Sequence, residues 1–222
     1  MTGNGVKTRP VNRLPKDAPT MRVTIPPLNL QRVVVRLVGE TPLIVHPKEE
    51  KAMAAIRSDD AVRQKKAKET EADAERRRRF VEVPKDWPHW MADPKKRLVD
   101  AFPAVAFKRA AVRACKYVEG IDMVDANIHL QVCKGSVLVP LILEGPPEAD
   151  RDYPRLQGRT PDLRFRPSYF PWAVDLEVEF DADNLSVTDV FNLFNRGGRA
   201  GVGEKRPEKG YSSGMFAVSS SE

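Results

Sequence analysis

Cysteine is nearly missing from this chain. Cys115 and Cys133 are the two in 222 residues, one in a predicted helix and one in a predicted strand. Neither the clustered spacing of a disulfide framework nor that of a zinc site is present, so a reducing, cytoplasmic setting is expected. Histidine is almost as scarce: His46, His89 and His129 lie far apart, without the local spacing metal ligands need, and no metal or cofactor is expected. No apolar run approaches the roughly 18 residues that span a bilayer. The opening MTGNGVKTRPVNRLPKDAPT also lacks the apolar stretch of a secretory signal, so no membrane partner is expected. Residues 1–29 read as a disordered N-terminal arm.

Catalytic motifs are wanting too. The window from Gly198 to Gly203 comes nearest to a phosphate-binding loop, but Glu204 stands where lysine is needed and Pro207 opposes the helix that must follow. Gly201-Val202-Gly203 does not extend to the dinucleotide fingerprint, because Arg206 takes the place of the third glycine. Asp59-Asp60 and the pair Asp122 and Asp125 are explained by surface solvation and helix capping. No nucleophile elbow and no Cys/His signature occurs. A non-enzyme is expected.

What is present is positive charge on a chain large enough to bury a core. Apolar residues make up 41%, and 37 Lys and Arg against 31 Asp and Glu leave a net charge of +6. That balance favours a polyanionic partner. The length suits one domain, here residues 30–222, with insertions at about 48–100 and 144–172.

The pattern along that domain is α+β. Gln31 to Val38 is a β-branched run ended by Gly39 and Pro42, the first predicted strand. Lys48 to Arg79 is rich in Ala, Glu, Lys and Arg without Pro or Gly, and reads as a charged, solvated helix ending in four arginines, Arg76 to Arg79. Residues 84–94 carry three prolines with Trp87 and Trp90, an irregular stretch whose aromatics either plug the edge of the core, the favoured reading, or present stacking faces. From Pro103 a helix places Phe107, Ala110, Ala111, Ala114 and Val118 on one face and Arg109, Arg113 and Lys116 on the other.

Two strands are predicted next, Asn127 to Cys133 and Ser136 to Leu143, joined through Lys134 and Gly135 in a hairpin-like link. Glu144 to Arg166 reads as a long excursion rich in Pro and Arg. Ala173 to Phe180 then alternates apolar and acidic residues, the period of a half-buried strand with an acidic outer face. Ser186 with Asp189 caps a short helix that Gly197 and Gly198 are expected to end, and Met215 to Val218 forms a final strand.

Two segments carry a binding chemistry. The first, NRGGRAGVGEKRPEKGYSSG, mixes glycines with Arg196, Arg199, Lys205, Arg206 and Lys209. Glycine lets a backbone approach a phosphodiester and offer N–H donors, while the basic groups release counterions. The second, RDYPRLQGRTPDLRFRPSYFPW, interleaves arginines with aromatics, a mixture that suits unpaired bases better than a duplex. The candidate nucleic-acid-binding residues are therefore Lys108, Arg109, Arg113, Lys116, Arg164, Arg166, Arg196, Gly198, Arg199, Gly201, Gly203, Lys205, Arg206 and Lys209.

Three separated segments also resemble a known family. A first strand running into Thr41-Pro42-Leu43, a Pro-led helix from Phe102-Pro103 through Lys108, Arg109 and Arg113, and the glycine-rich segment Gly197 to Gly214 before Met215 to Val218 occur in the order seen in the RAMP superfamily of CRISPR effector complexes, especially its backbone subunits. Ala104-Val105-Ala106 stands where that family has a Gly-Ser-Ser lead, and the glycine segment here is more charged. The segments TPLIVH, FPAVAFK and GVGEKRPEKG are closer still to a group of uncharacterised tailed-phage proteins. The resemblance implies a ferredoxin-like or RRM-like core with a charged helical insertion and a C-terminal glycine-rich loop. It also implies subunits that assemble along single-stranded RNA or DNA, as a homo-oligomer or filament, in the cytoplasm of a bacterial host. Two rival expectations stand beside this one: a phage structural or adaptor protein working through protein contacts, and a RAMP-type endoribonuclease using His129 and Asp122.

Overall fold

A computed structural model describes residues 25–46, 70–152 and 163–219. Residues 1–24 of the expected 1–29 arm and residues 48–69 of the expected 48–79 helix lie outside the described residues, as do Tyr153, Arg155 and Arg159 of the arginine-aromatic excursion.

In chain order the elements are β1 (Leu30–Gly39), β2 (Leu43–Ile44), α1 (Glu71–Arg76), β3 (Phe80–Glu82), β4 (Leu98–Pro103), α2 (Ala104–Ala114), α3 (Met123–His129), β5 (Leu130–Val132), β6 (Leu138–Pro140), β7 (Ile142–Leu143), β8 (Glu148–Asp152), β9 (Arg164–Tyr169), β10 (Trp172–Asp181), α4 (Val187–Ala200) and β11 (Phe216–Val218). The fold is α+β, and every pairing among its named strands is antiparallel.

The main sheet runs β11-β1-β10-β5, with β7 on the far end of β10. Its centre is the long ladder from Leu30↔Asp181 to Val38↔Ala173. Alternation decides which face is buried: Val35, Leu37, Val174, Leu176, Val178 and Phe180 point into the core, while Arg32, Arg36, Asp175 and Glu177 stay outside. The outer face is therefore not simply acidic. Arg36 pairs with Asp175 at 2.7 Å and Arg32 with Glu179 at 2.9 Å, so cross-strand partners neutralise the carboxylates the pattern exposed.

Helices α2 and α4 cover the buried face. Ser186 and Asp189 form the expected capping box at the start of α4, with the Ser186 hydroxyl 2.6 Å from the carboxylate. The end of that helix differs from expectation. Gly197 and Gly198 do not terminate it; both are buried within it, and the helix stops only at Gly201, whose φ of 73° leaves the helical region. The physical reason is packing. A Cβ on Gly197 would sit 2.6 Å from the carbonyl carbon of Ala110, so glycine here is what allows α4 to press against α2.

Four other expectations are corrected by local capping and strand pairing. Residues 127–129 close α3 rather than open a strand, because Asp122 caps a helix there through the Val124 and Asp125 amides. The chain does turn at Cys133 to Ser136 (Ser136 N to Cys133 O, 2.8 Å), yet no hairpin forms: β5 joins β10 while β6 joins β4. In the described part of the charged segment the helix ends at Arg76, and Phe80–Glu82 continues as a strand. The Pro- and Arg-rich excursion also contains an ordered ladder, Glu148↔Ser168 to Asp152↔Arg164, and it buries Phe165, Tyr169 and Trp172.

Candidate functional site

The helix α2 is built so that one face must be covered and the other cannot be. Phe107, Ala110, Ala111 and Ala114 are buried, which at 3.6 residues per turn leaves Arg109 and Arg113 on the opposite side. Facing that side is the segment after α4. It is tied to β2 by the Glu204 amide donating to the Ile44 carbonyl at 2.8 Å, and to its own return by Val202 N to Gly214 O at 2.9 Å. Gly203 must be glycine for two reasons: its φ is 78°, and a Cβ would lie 2.5 Å from the Ile44 carbonyl oxygen.

Between these walls lies a cavity of about 550 Å³. Arg79, Arg109, Arg113 and Arg206 line it together with His46, Glu204 and the backbone of Gly201 and Gly203, over an apolar floor that includes Val45, Phe102, Pro103 and Val105. Arg113 and Arg206 share Glu208, the latter through Nε at 3.1 Å. Arg79 and Arg109 have no ion-pair partner among the described residues. Four guanidinium groups, two of them without an ion pair among the described residues, give the cavity an excess of positive charge above an apolar floor.

His46 is one of the lining residues. Burial, together with the charges of Arg166 and Arg77, pushes its imidazole below its ordinary value, with Glu204 acting the other way. Its buried Nδ1 has no hydrogen-bond partner among the described residues.

Of the residues read from the sequence, the cavity brings together Arg109, Arg113, Gly201, Gly203 and Arg206. The others go elsewhere. Lys108 donates to the Asn127 carbonyl at 2.9 Å and to Gln131 at 3.0 Å, and burial lowers its pKa. Lys116 is exposed in the turn after α2, and Arg164 lies in β9. Arg166 is buried against Asp152 at 2.7 Å, and Lys205 reaches Asp150 at 2.7 Å. Lys209 donates to Glu204 at 3.2 Å, and Arg199 lies 3.9 Å from Glu40. Arg196 lines a second cavity of about 270 Å³ with Asn184 and Asn192.

The expectation that glycine amides cradle a phosphate is corrected for part of the loop. Gly198 is buried against Phe216, and the N–H groups of Gly201, Val202 and Glu204 already donate within the chain. Reasoning from sequence missed Arg79, His46 and Glu204. Arg79 carried a signal, as the last of four arginines, but in a continuous helix it had no reason to part from them. Here each of the four takes its own partner or direction: Arg76 reaches Asp73 at 3.2 Å, Arg77 donates to the Phe165 carbonyl, Arg78 reaches Asp100 at 2.6 Å, and Arg79 lines the cavity. Among the described residues no three His, Cys, Asp or Glu side chains gather as a metal site, and no helix is long and apolar enough to cross a membrane.

Fold and site together define an α+β protein with an arginine-lined cleft between a Pro-led helix and a glycine-bearing loop. No family model and no curated protein matches the chain. Among solved structures 25 chains match. One belongs to the cryo-EM structure of the type III-B Cmr-beta bound to cognate target RNA, with a TM-score of 0.48 and 9% identity over 87% of this chain. This chain spans 60% of the length of that one.

Proposed function

We propose that this protein binds single-stranded nucleic acid without cleaving it, through the arginine cleft, as a RAMP-like subunit that lines up with further copies along the strand. The observation that carries this reading is the convergence of Arg79, Arg109, Arg113 and Arg206 on one cavity. Phosphates bind the rim, and an unstacked base rests on the apolar floor beside Phe102, Pro103 and Val105. A ferredoxin-like core belongs to the same proposal. Its support is the order strand, helix, strand, strand, helix, strand for β1, α2, β5, β10, α4 and β11, with β1 and β10 central and β5 and β11 outside them. On this reading the protein is phage-encoded and works in the host cytoplasm.

Fluorescence anisotropy with labelled single-stranded oligonucleotides over a salt series tests the reading. Affinity should fall as salt rises, and Arg79→Glu or Arg109→Glu should weaken binding about tenfold or more. Binding that is absent at low salt, or indifferent to salt, would defeat the idea. Ordered assemblies that form without nucleic acid, with no oligonucleotide shift, would instead favour the structural or adaptor role.

One observation favours a second reading, cleavage of RNA. His129 and Asp122, the two candidates from sequence, are occupied: His129 Nδ1 is 3.2 Å from Asp181, and Asp122 caps α3. His46, by contrast, brings a largely neutral imidazole to an arginine-lined cavity, a setting suited to a general base. Denaturing gels of incubated RNA decide between the two. Products that disappear in His46→Ala support cleavage, and intact RNA supports binding alone.

A further inference from the structure

A pocket for phosphate alone has no use for a carboxylate, yet Glu204 lines this one. The four arginines around it are donors only. Among the lining side chains, the Glu204 carboxylate and one imidazole nitrogen of neutral His46 are the groups able to accept a hydrogen bond. Electrostatically the carboxylate opposes any phosphate that enters. Lys209 offsets part of that charge at 3.2 Å, and a ligand that also brings a donor would use the acceptor capacity that is left.

The chain holds this carboxylate in place. Glu204 sits between two residues of positive φ, Gly203 at 78° and Lys205 at 50°. The second is a sparsely populated conformation for a residue with a Cβ. Lys205 is held there by Asp150 at 2.7 Å and by Ser213 N donating to its carbonyl at 2.9 Å, while the Glu204 amide is fixed on Ile44. Lys209 reaches Oε2 at 3.2 Å, and a carboxylate has room for further donors.

We propose that Glu204 makes the cleft select ribose over deoxyribose, by accepting a hydrogen bond from the 2′-hydroxyl of the nucleotide whose phosphate the arginines hold. The inference rests on the nucleic-acid reading above and names the sugar. The 2′-hydroxyl is the donor closest to the phosphate within a nucleotide, and Glu204 shares the cavity with the phosphate donors. A base edge lies farther away. Deoxyribose offers nothing at that position and meets only the repulsion.

Anisotropy titrations of an oligouridylate, its 2′-deoxy counterpart and its 2′-O-methyl counterpart test this, with wild type, Glu204→Ala and Glu204→Gln. Wild type should prefer the ribose form by about tenfold over both others, the size of one hydrogen bond to a charged group. Glu204→Ala should bring the three affinities together while leaving deoxy binding equal or tighter. Glu204→Gln, which keeps an acceptor and the side-chain shape, should fall between. Equal wild-type affinities, or a preference that survives Glu204→Ala, would overturn the inference and leave the nucleic-acid reading standing. Failure of every oligonucleotide to bind at low salt would remove both.

Discussion

Asp100 shows what a single buried charge does in this molecule. Its side chain is fully buried, and it accepts from Arg78 Nε and Nη2 at 2.7 and 2.6 Å and from the Tyr169 hydroxyl at 2.9 Å. Burial and the nearby Asp100 carboxylate push the Tyr169 phenol well above its ordinary value, so it stays a donor. Replacing Asp100 by alanine leaves Arg78, whose side chain is only 8% exposed, with Glu75 at 2.6 Å as its ion pair and removes the acceptor of the buried Tyr169 hydroxyl, and should cost about 2–3 kcal/mol. The midpoint of urea denaturation measures it. His46 supplies a residue-scale prediction of opposite character. Its folded pKa is depressed below 6.5, so as pH falls the unfolded chain takes up the proton first, and stability is lost between 6.5 and the lower folded value. His46→Gln should flatten that part of the stability-against-pH curve. An NMR titration of His46 that places its pKa above 6.5 would contradict the account.

At the scale of elements, the contact between α2 and α4 decides whether the cleft exists, since α2 carries Arg109 and Arg113 and α4 leads into the opposite wall. Gly197→Ala sets two effects against each other. Alanine favours the helix by up to about 1 kcal/mol, but its Cβ would meet the Ala110 carbonyl carbon at 2.6 Å. Overpacking of that kind costs about 1–3 kcal/mol, so the variant should melt earlier and bind oligonucleotides more weakly through the displaced wall. Thermal unfolding and anisotropy on one preparation check both. Gly198→Ala should be worse, because its Cβ would fall 1.8 Å from the Phe216 carbonyl oxygen.

At the scale of the whole molecule, net charge is a poor guide to the binding surface. The chain has an excess of six positive charges, but Arg36, Arg78, Arg166 and Lys205 are each matched by a carboxylate within 2.7 Å. Those groups contribute to folding and release few counterions. The slope of log affinity against log salt should therefore reflect the cleft, and it should lose about one unit for each cleft arginine replaced. Arg79→Gln and Arg109→Gln should each reduce it, whereas Lys116→Gln should leave it unchanged.

The sequence by itself determined the elements whose information is local. Strand β1, the alternation of β10, the two faces of α2 and the capping box of α4 all follow from apolar spacing and capping within a short window, where side-chain direction is set by the backbone period. Tertiary structure alone decided where the charges went. Lys205 meets Asp150 from 55 residues away and Arg113 meets Glu208 from 95, and His46, Arg79 and Glu204 come to one cavity from three separate segments. No local period encodes such meetings. They arise when glycines at 197 and 203 let backbones approach closely, and a charge then pairs with whatever the packing brings within reach.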